Sequence, residues 1–403
     1  MAEAPLRPVW AEIDLDAVRH NAGVLKRVAG SAALLAVVKA DAYGHGAVAV
    51  GRAALEGGAS WLGVAVVEEG VELRRAGITA PVLVLSEPSA DAMSEAVAYG
   101  LVPTVYSVGG IAAADSAAAA SGRTVDVHLK VDTGMHRVGA DPGDIIPLAK
   151  AVSAAGNLRL GSVWTHFAVA EGVGDEDRSF TLTQMRAYDE VLASLAAAGI
   201  EVRLRHAANS AGAIAHPGSR YDMVRCGIAI YGELPAPELG AMLGPGEALR
   251  PVMSLKARVV FVRNLCAGER PSYGRKRALG DDSVVAVVPV GYADGVARAW
   301  FDKLGTVLVG GQPRPLAGTV TMDQIVVDCG RNSQVEVGDE VVLIGRQGAS
   351  SLSASDWASA LGTISYEVLC GIGPRVPRVV VGHKGGSEED GVTTNPRAGH
   401  TDE

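Results

Sequence analysis

The sequence predicts an α/β protein: an N-terminal (β/α)8 TIM-like barrel followed by a mostly β C-terminal domain. Three observations carry this expectation. Over the first 232 residues, short β-branched runs alternate with Ala-rich segments of helical spacing, and eight such repeats are the recipe for a closed barrel. After Tyr231 the texture changes to Pro- and Gly-rich chain and then to strand runs. The chain has 403 residues, about half of them apolar, which is enough for two domains.

The eight runs are Leu34–Lys39, Trp61–Val66, Val82–Ser86, Val102–Ser107, Val125–Val131, Leu158–Thr165, Arg203–Ala208 and Met223–Ile230. The longest helical segment between them, Arg178–Gly199, ends in a glycine suited to a C-cap. A doubly wound open sheet, which needs fewer strands, is the alternative. An extra apolar segment, Ala11–Leu15, has no place among the eight and is free to pair with the second domain. Glu233–Arg250 reads as a linker. Beyond it lie strand runs Met253–Val262, Val284–Val290, Thr306–Val309, Ile325–Cys329, Glu340–Ile344 and Val376–Val381. One helix, Ala354–Leu361, interrupts them, with Ser353 placed to cap it. The expected domains are 10–240 for the barrel and 246–383 for the β-rich part. Residues 384–403, rich in Gly, Ser and acids, read as a disordered tail.

Composition excludes several classes. The net charge is −9 and no Lys/Arg block stands out, which argues against nucleic acid and anionic membrane surfaces. No run of about 18 apolar residues suggests a membrane span, and Met1–Val9 lacks a signal-peptide core. The four cysteines, at 226, 266, 329 and 370, form no CxxC pair, which fits a reducing cytoplasm. No HExxH, GxGxxG or GxxxxGK[ST] pattern is placed to carry chemistry, so no metal site is expected.

Catalytic groups of a barrel come from the C-terminal ends of its strands. Those ends carry Lys39, Lys130 with Arg137 just beyond, His166, Asn209–Ser210, and Arg225 with Gly227–Ile228. Lys39 has two readings. By spacing alone the commoner is a lysine reaching solvent or a carboxylate. The other is a buried, neutral amine able to condense with an aldehyde cofactor. Asn209–Ser210 and Gly227 suit a phosphate at the loops after strands seven and eight, or plain N-capping by Ser210. Arg137 and Arg225 are anion partners or surface ion pairs. His166 is an acid–base group, a ring stack or a core histidine.

The run Val37-Val38-Lys39-Ala40-Asp41-Ala42-Tyr43-Gly44-His45-Gly46 resembles the cofactor-lysine signature of alanine racemases. HLKVDTGMHRVG (128–139), THFA (165–168), HAANS (206–210), DMVRCGIAIYG (222–232), SYGR (272–275), PVGYADG (289–295), TMDQ (321–324) and SYEVLCGIGPRVPR (365–378) are similar to that family too, and in its order. The resemblance spans residues ~10 to ~380, nearly the whole chain by the domain-size prior. It implies a pyridoxal 5'-phosphate enzyme that interconverts L- and D-alanine for peptidoglycan, acting as a homodimer with composite sites. Lys39 would carry the cofactor and serve as one base. Tyr273 would be the opposite base, reaching the cofactor of the partner subunit. Arg225 would meet the pyridine nitrogen with His206 behind it, and His166 would lie against the ring. Tyr43, Ser210, Gly227, Ile228 and Tyr366 would hold the phosphate, with Asn209 beside them. Arg137 would orient substrate, held by a carbamylated Lys130. Met322 and Asp323, from the partner, and Tyr292 would line and narrow the substrate pocket.

Two positions depart from the family pattern: Thr321 where Cys or Ser is expected, and His136 where Gly is common. Lysine and tyrosine both titrate near ~10 when free, so each needs tuning, and neighbouring cations disfavour ammonium and favour phenolate. Arg225 would leave the ring nitrogen unprotonated, because a guanidinium keeps its proton. Related readings are a broad-specificity racemase, a basic amino-acid decarboxylase, a non-catalytic cofactor carrier and a cofactor-free Schiff-base aldolase. The tyrosine of SYGR favours racemisation over decarboxylation. SYGR and TMDQ have no use in a carrier, and the aldolase gives no reason for Tyr43, Ser210 and Arg225 around one phosphate.

Overall fold

Val, Ile and Leu runs too short for helices form strands, and the Ala-rich segments between them form helices. The structure, a computed structural model, describes residues 6–382. The tail expected at 384–403 lies outside them. The described residues divide into two compact units, one of Ala17–Arg250 and one that joins residues 6–16 to residues 251–382.

The first strand, β1 (Val9–Asp14), belongs to the second unit. The first unit holds β2 (Ala33–Val37), β3 (Trp61–Val64), β4 (Val82–Val84), β5 (Val102–Val105), β6 (Val125–Lys130), β7 (Leu158–Trp164), β8 (Leu204–His206) and β9 (Met223–Cys226). All are parallel, in the order β8-β7-β6-β5-β4-β3-β2-β9. Between the end strands the gap is bridged by Arg225 N–H to Ala208 O at 2.9 Å, by Asp222 N–H to Arg205 O at 3.0 Å and by the Arg205–Asp222 ion pair at 2.7 Å. The result is the TIM-like near-barrel expected from the repeats. The register puts Lys130 opposite Trp164, and Trp164 opposite His206. Three adjacent strands therefore present one row of large polar and aromatic side chains near their C-terminal ends.

The helix expected at Arg178–Gly199 runs Asp175–Ala197. Its first turn holds Asp175, Glu176 and Asp177, which favour the positive end of the helix dipole. Gly199, at φ 72°, sits beyond its end in the left-handed region. The expected linker folds partly, as the turn Pro237–Met242 with Leu239 buried.

The second unit holds β10 (Met253–Arg258), β11 (Phe261–Leu265), β12 (Ser283–Val288), β13 (Thr306–Val309), β14 (Gln312–Pro315), β15 (Ile325–Gly330), β16 (Glu340–Gln347), β17 (Ser350–Leu352) and β18 (Arg378–Val381). One sheet runs β14-β13-β16-β10-β1-β18 with β17 on β16, and another runs β11-β12-β15. The segment left over from the barrel finds its place here. β1 alternates buried Val9, Ala11 and Ile13 with half-buried neighbours, and pairs antiparallel with β10 and parallel with β18. The helix Ala354–Leu361 is capped by Ser353, whose Oγ accepts from Asp356 N–H at 3.0 Å. A second helix, Ser365–Cys370, was not expected. Among the described residues, no helix is long and apolar enough to cross a membrane.

Candidate active site

Strand β2 stops at Val37, two residues before the lysine that the sequence places at its end. Ala40, Asp41, Ala42 and Tyr43 then take φ of 51–54°, a left-handed turn without a glycine. Each such residue costs roughly 1–2 kcal/mol, so neighbours must hold the turn. Ala40 N–H donates to Glu69 Oε1 at 2.6 Å, and Ala47 N–H to Asp41 Oδ1 at 2.8 Å. Tyr231 Oη donates to Val37 O at 2.8 Å, and its ring packs 4.7 Å from that of Tyr43. The turn delivers Lys39 half-buried to the rim, with no ion pair among the described residues. The burial that one of its two readings requires belongs to a different lysine.

That lysine is Lys130, only 4% exposed. Burial pulls its amine down to about 7, and Arg225, Arg137 and Lys39 push the same way against Asp132. Its Nζ lies 4.4 Å from the Trp164 ring centre. Beyond it, Asp132 Oδ1 accepts from Gly134, Met135 and His136 N–H at 2.9, 2.9 and 3.1 Å. Burial works upward on this carboxyl, but those donors outweigh it and hold it below its usual range. The turn they build leaves Arg137 exposed, with no ion pair among the described residues.

Arg225 is the buried cation of the site, 3% exposed at the end of β9. Its Nη1 lies 2.9 Å from His206 Nδ1, and its Nη2 donates to Thr165 O and Ala207 O, both at 2.8 Å. His166 Nδ1 is 3.2 Å from Nη2. Burial lowers the guanidinium to about 10, so it stays charged at neutral pH. Burial first, then Arg225, hold both His166 and His206 well below the usual histidine value. His166 is therefore a neutral ring at the rim, and the surface-ion-pair reading of Arg225 is excluded by its burial.

The loops after β8 and β9 lock together. Asn209, not Ser210, caps the short helix Ser210–Ala215, its Oδ1 accepting from Gly212 N–H at 2.9 Å. Ser210 Oγ instead accepts from Gly227 N–H at 2.9 Å and Ala229 N–H at 3.4 Å. Gly227 is bare for a reason: a Cβ there would lie 2.5 Å from Tyr43 Oη. Ile228 opens the following turn and is buried. Tyr43 Oη, Ser210 Oγ and the Gly227 backbone thus come together beside the cationic rim.

The second unit gathers its own set. Tyr273, 73% exposed, follows Ser272 at φ 68°. Ser272 Oγ donates to Thr319 O at 2.6 Å, and Thr319 Oγ1 donates to Tyr273 O at 2.9 Å. The same strand-end segment runs on to Met322. Tyr292 N–H donates to Thr321 O at 3.0 Å and Ala293 N–H to Met322 O at 3.1 Å. Arg375 ties Asp323, at 2.7 Å, to the buried Asp294, at 3.3 Å. Tyr273, Tyr292, Met322 and Asp323 therefore share one braced loop cluster. Tyr366 stands half-buried on its own helix. Thr321 bonds within its own turn, donating to Gln324 O at 2.8 Å, and His136 occupies φ 52°. His128, Trp164, Thr319 and Arg375 are not singled out by the sequence. His128 carried a signal, since two positions before Lys130 on a strand is the same face.

A family model described as the alanine racemase N-terminal domain matches residues 13–235, and one described as the C-terminal domain matches 252–380. An alanine racemase of Symbiobacterium thermophilum is 45% identical over 93% of this chain and 97% of its own. The crystal structure of alanine racemase from the D-cycloserine producer Streptomyces lavendulae aligns with TM-score 0.87 at 41% identity, covering 95% of this chain and 99% of that one. That of Bacillus anthracis with bound L-Ala-P aligns with TM-score 0.86 at 35% identity, covering 94% and 96%.

Proposed function

The chain belongs to the alanine racemase family, and from that premise we propose how its residues divide the work. It is an amino-acid racemase that interconverts L- and D-alanine with pyridoxal phosphate. The residues suit that cofactor: buried Arg225 has donors to spare for a ring nitrogen, and the Tyr43, Ser210 and Gly227 cradle beside Lys39 and Arg137 suits a phosphate. When bound, pyridoxal phosphate acidifies the α-proton of an amino acid by spreading the charge left behind.

Lys39 then holds the cofactor and moves a proton at Nζ on one face. Tyr273 moves a proton at Oη on the other, and its exposure fits a base that serves the cofactor of a partner subunit in a homodimer. Met322, Asp323 and Tyr292 come with it and crowd the substrate side chain. Arg137, without an ion pair among the described residues, orients the substrate carboxylate. Lys130, an amine lowered to about 7, is partly neutral at neutral pH and open to carbamylation. Its carbamate would find Arg137, Arg225 and Lys39 around it. His206 supports Arg225. His166 lies neutral against the ring. Ile228 and Asn209 complete the phosphate side. We place the enzyme in the cytoplasm, consistent with four free cysteines, supplying D-alanine to peptidoglycan.

The observation that carries this reading is the convergence of Lys39, Lys130, Arg137 and Arg225 on one barrel rim, with Arg225 buried at its floor. The test is a visible spectrum of purified protein supplied with cofactor, together with loss of optical rotation of L-alanine. Both a bound-cofactor band and racemisation are expected, and both are lost in Lys39→Ala. A band without racemisation overturns the assigned chemistry, and no band overturns the cofactor site.

A further inference from the structure

We propose that His128 is a positioning residue for Arg225, locking His206 in the one tautomer that can accept the Arg225 hydrogen bond. The inference deepens the reading of Arg225 as partner of the cofactor ring nitrogen and rests on it for its catalytic meaning.

The argument is one of donors and acceptors. A guanidinium only donates. Arg225 Nη1 lies 2.9 Å from His206 Nδ1, so that nitrogen accepts and the His206 proton sits on Nε2. His206 Nε2 lies 3.3 Å from His128 Nδ1. His128 must therefore accept at Nδ1 and carry its own proton on Nε2. One assignment satisfies both contacts. An imidazolium at His206 is barred, because it donates from both nitrogens and would turn an N–H against Arg225. At His128 a charge would likewise remove the acceptor.

The surroundings enforce the same answer. His128 and His206 are 1% and 0% exposed, and burial disfavours their charged forms. Burial takes His128 down to about 3, with Arg225 acting in the same direction and Asp126 against it. Trp164 stacks on His206 at 5.4 Å and 10°, and Trp61 packs 5.5 Å from His128, so neither ring is free to flip. Without His128 the Nε2 proton of His206 would be a buried donor lacking a partner. The imidazole would then exchange tautomers, and Arg225 would lose the acceptor that pins Nη1.

The test is 15N NMR of the enzyme labelled at its nine histidines, with cofactor and after its removal. The His206 signal is identified by its loss in His206→Gln. We expect a single Nε2–H tautomer at His206, unchanged from about pH 5 to about pH 9. In His128→Leu the two tautomers mix and cofactor binding weakens about tenfold. His128→Asn, whose carbonyl reaches the Nδ1 position, keeps the single tautomer and the affinity. His128→Gln, whose amide reaches the Nε2 position instead, behaves as leucine does and serves if the leucine variant does not fold. An Nδ1–H tautomer or an imidazolium at His206 in the unaltered enzyme overturns the proposal. So does a single Nε2–H tautomer that survives in both the leucine and glutamine variants. If the tautomers behave as expected but Arg225→Ala leaves cofactor binding and spectrum unchanged, the lock stands and the reading of Arg225 as ring partner fails.

Discussion

Replacing Lys130 by methionine should stabilise the folded protein near neutral pH, and the gain should fade as pH rises. The amine falls from 10.5 to about 7 on folding, chiefly through burial and then through Arg225. Each tenfold loss of proton affinity is about 1.4 kcal/mol, so the buried lysine costs on the order of 5 kcal/mol once fully protonated. The sign follows from linkage. Between pH 7 and 10.5 the unfolded chain binds more protons at this site than the folded one, so stability rises with pH there. Below pH 7 the penalty is present in full, and above 10.5 it is gone. From about pH 7 to about pH 9 the unaltered protein should therefore gain roughly 2–3 kcal/mol on Lys130→Met. Urea unfolding of both proteins without cofactor, in carbonate-free buffer so that no carbamate forms, reads this directly. A constant gap between the two across that range would refute the reasoning.

Other substitutions probe separate parts of the site. Gly227→Ala puts a methyl 2.5 Å from Tyr43 Oη, and with Tyr43 packed on Tyr231 the overpacking should cost about 1–3 kcal/mol and weaken cofactor binding by about tenfold or more. An unchanged dissociation constant would show that Tyr43 moves freely. Arg225→Glu should protonate the ring nitrogen, so that a long-lived, long-wavelength absorbance and side products such as transamination appear. If neither does, the ring-nitrogen contact is wrong. Tyr273→Phe should lower racemisation by roughly 10²–10⁴-fold, while its exposure predicts an unaltered melting temperature; a variant with the parent's rate would remove Tyr273 from the chemistry.

The barrel was legible because its strands and helices obey separate periods over eight repeats, and tertiary packing had no reason to override them. β1 was legible as a misfit: alternation at Val9, Ala11 and Ile13 serves a sheet with one covered face, unlike the continuous apolar runs of the barrel strands. The strand Gln312–Pro315 was missed because its prolines and exposed Gln312 read as a turn, the usual appearance of an edge strand. Ser365–Cys370 is too short for helical periodicity to register. At the site, rim positions were readable but environments were not. Nothing in Ala-Asp-Ala-Tyr announces positive φ, so Lys39 was placed at the strand end with a solvent-reaching and a buried reading both open, and the burial is found at Lys130 instead. Ser210 likewise looked like a cap, although Asn209 caps and Ser210 ties the β9 loop.

Both unfavourable features of the barrel unit, the left-handed turn at 40–43 and the crowd of cations, lie on the same rim. The turn is held partly by its own Asp41, whose carboxylate and carbonyl accept from Ala47 and Gly46 N–H, and partly from outside. Glu69, Tyr231 and Ala47 restrain the turn from neighbouring elements. Among the described residues no carboxylate pairs with Arg225. It is held instead by two carbonyls and a histidine nitrogen, which engage part of its donors and leave its charge. An ion pair there would have cancelled the field an anionic ligand needs. The dipolar acceptors fix the guanidinium in direction without consuming its charge, and they supply a reason for burying histidines that burial keeps neutral. The strain at residues 40–43 has a parallel logic, since a right-handed continuation of β2 into a helix would carry Lys39 and Tyr43 in other directions. The stability given up at the rim is thus the cost of aiming a lysine, a tyrosine and a guanidinium at one space.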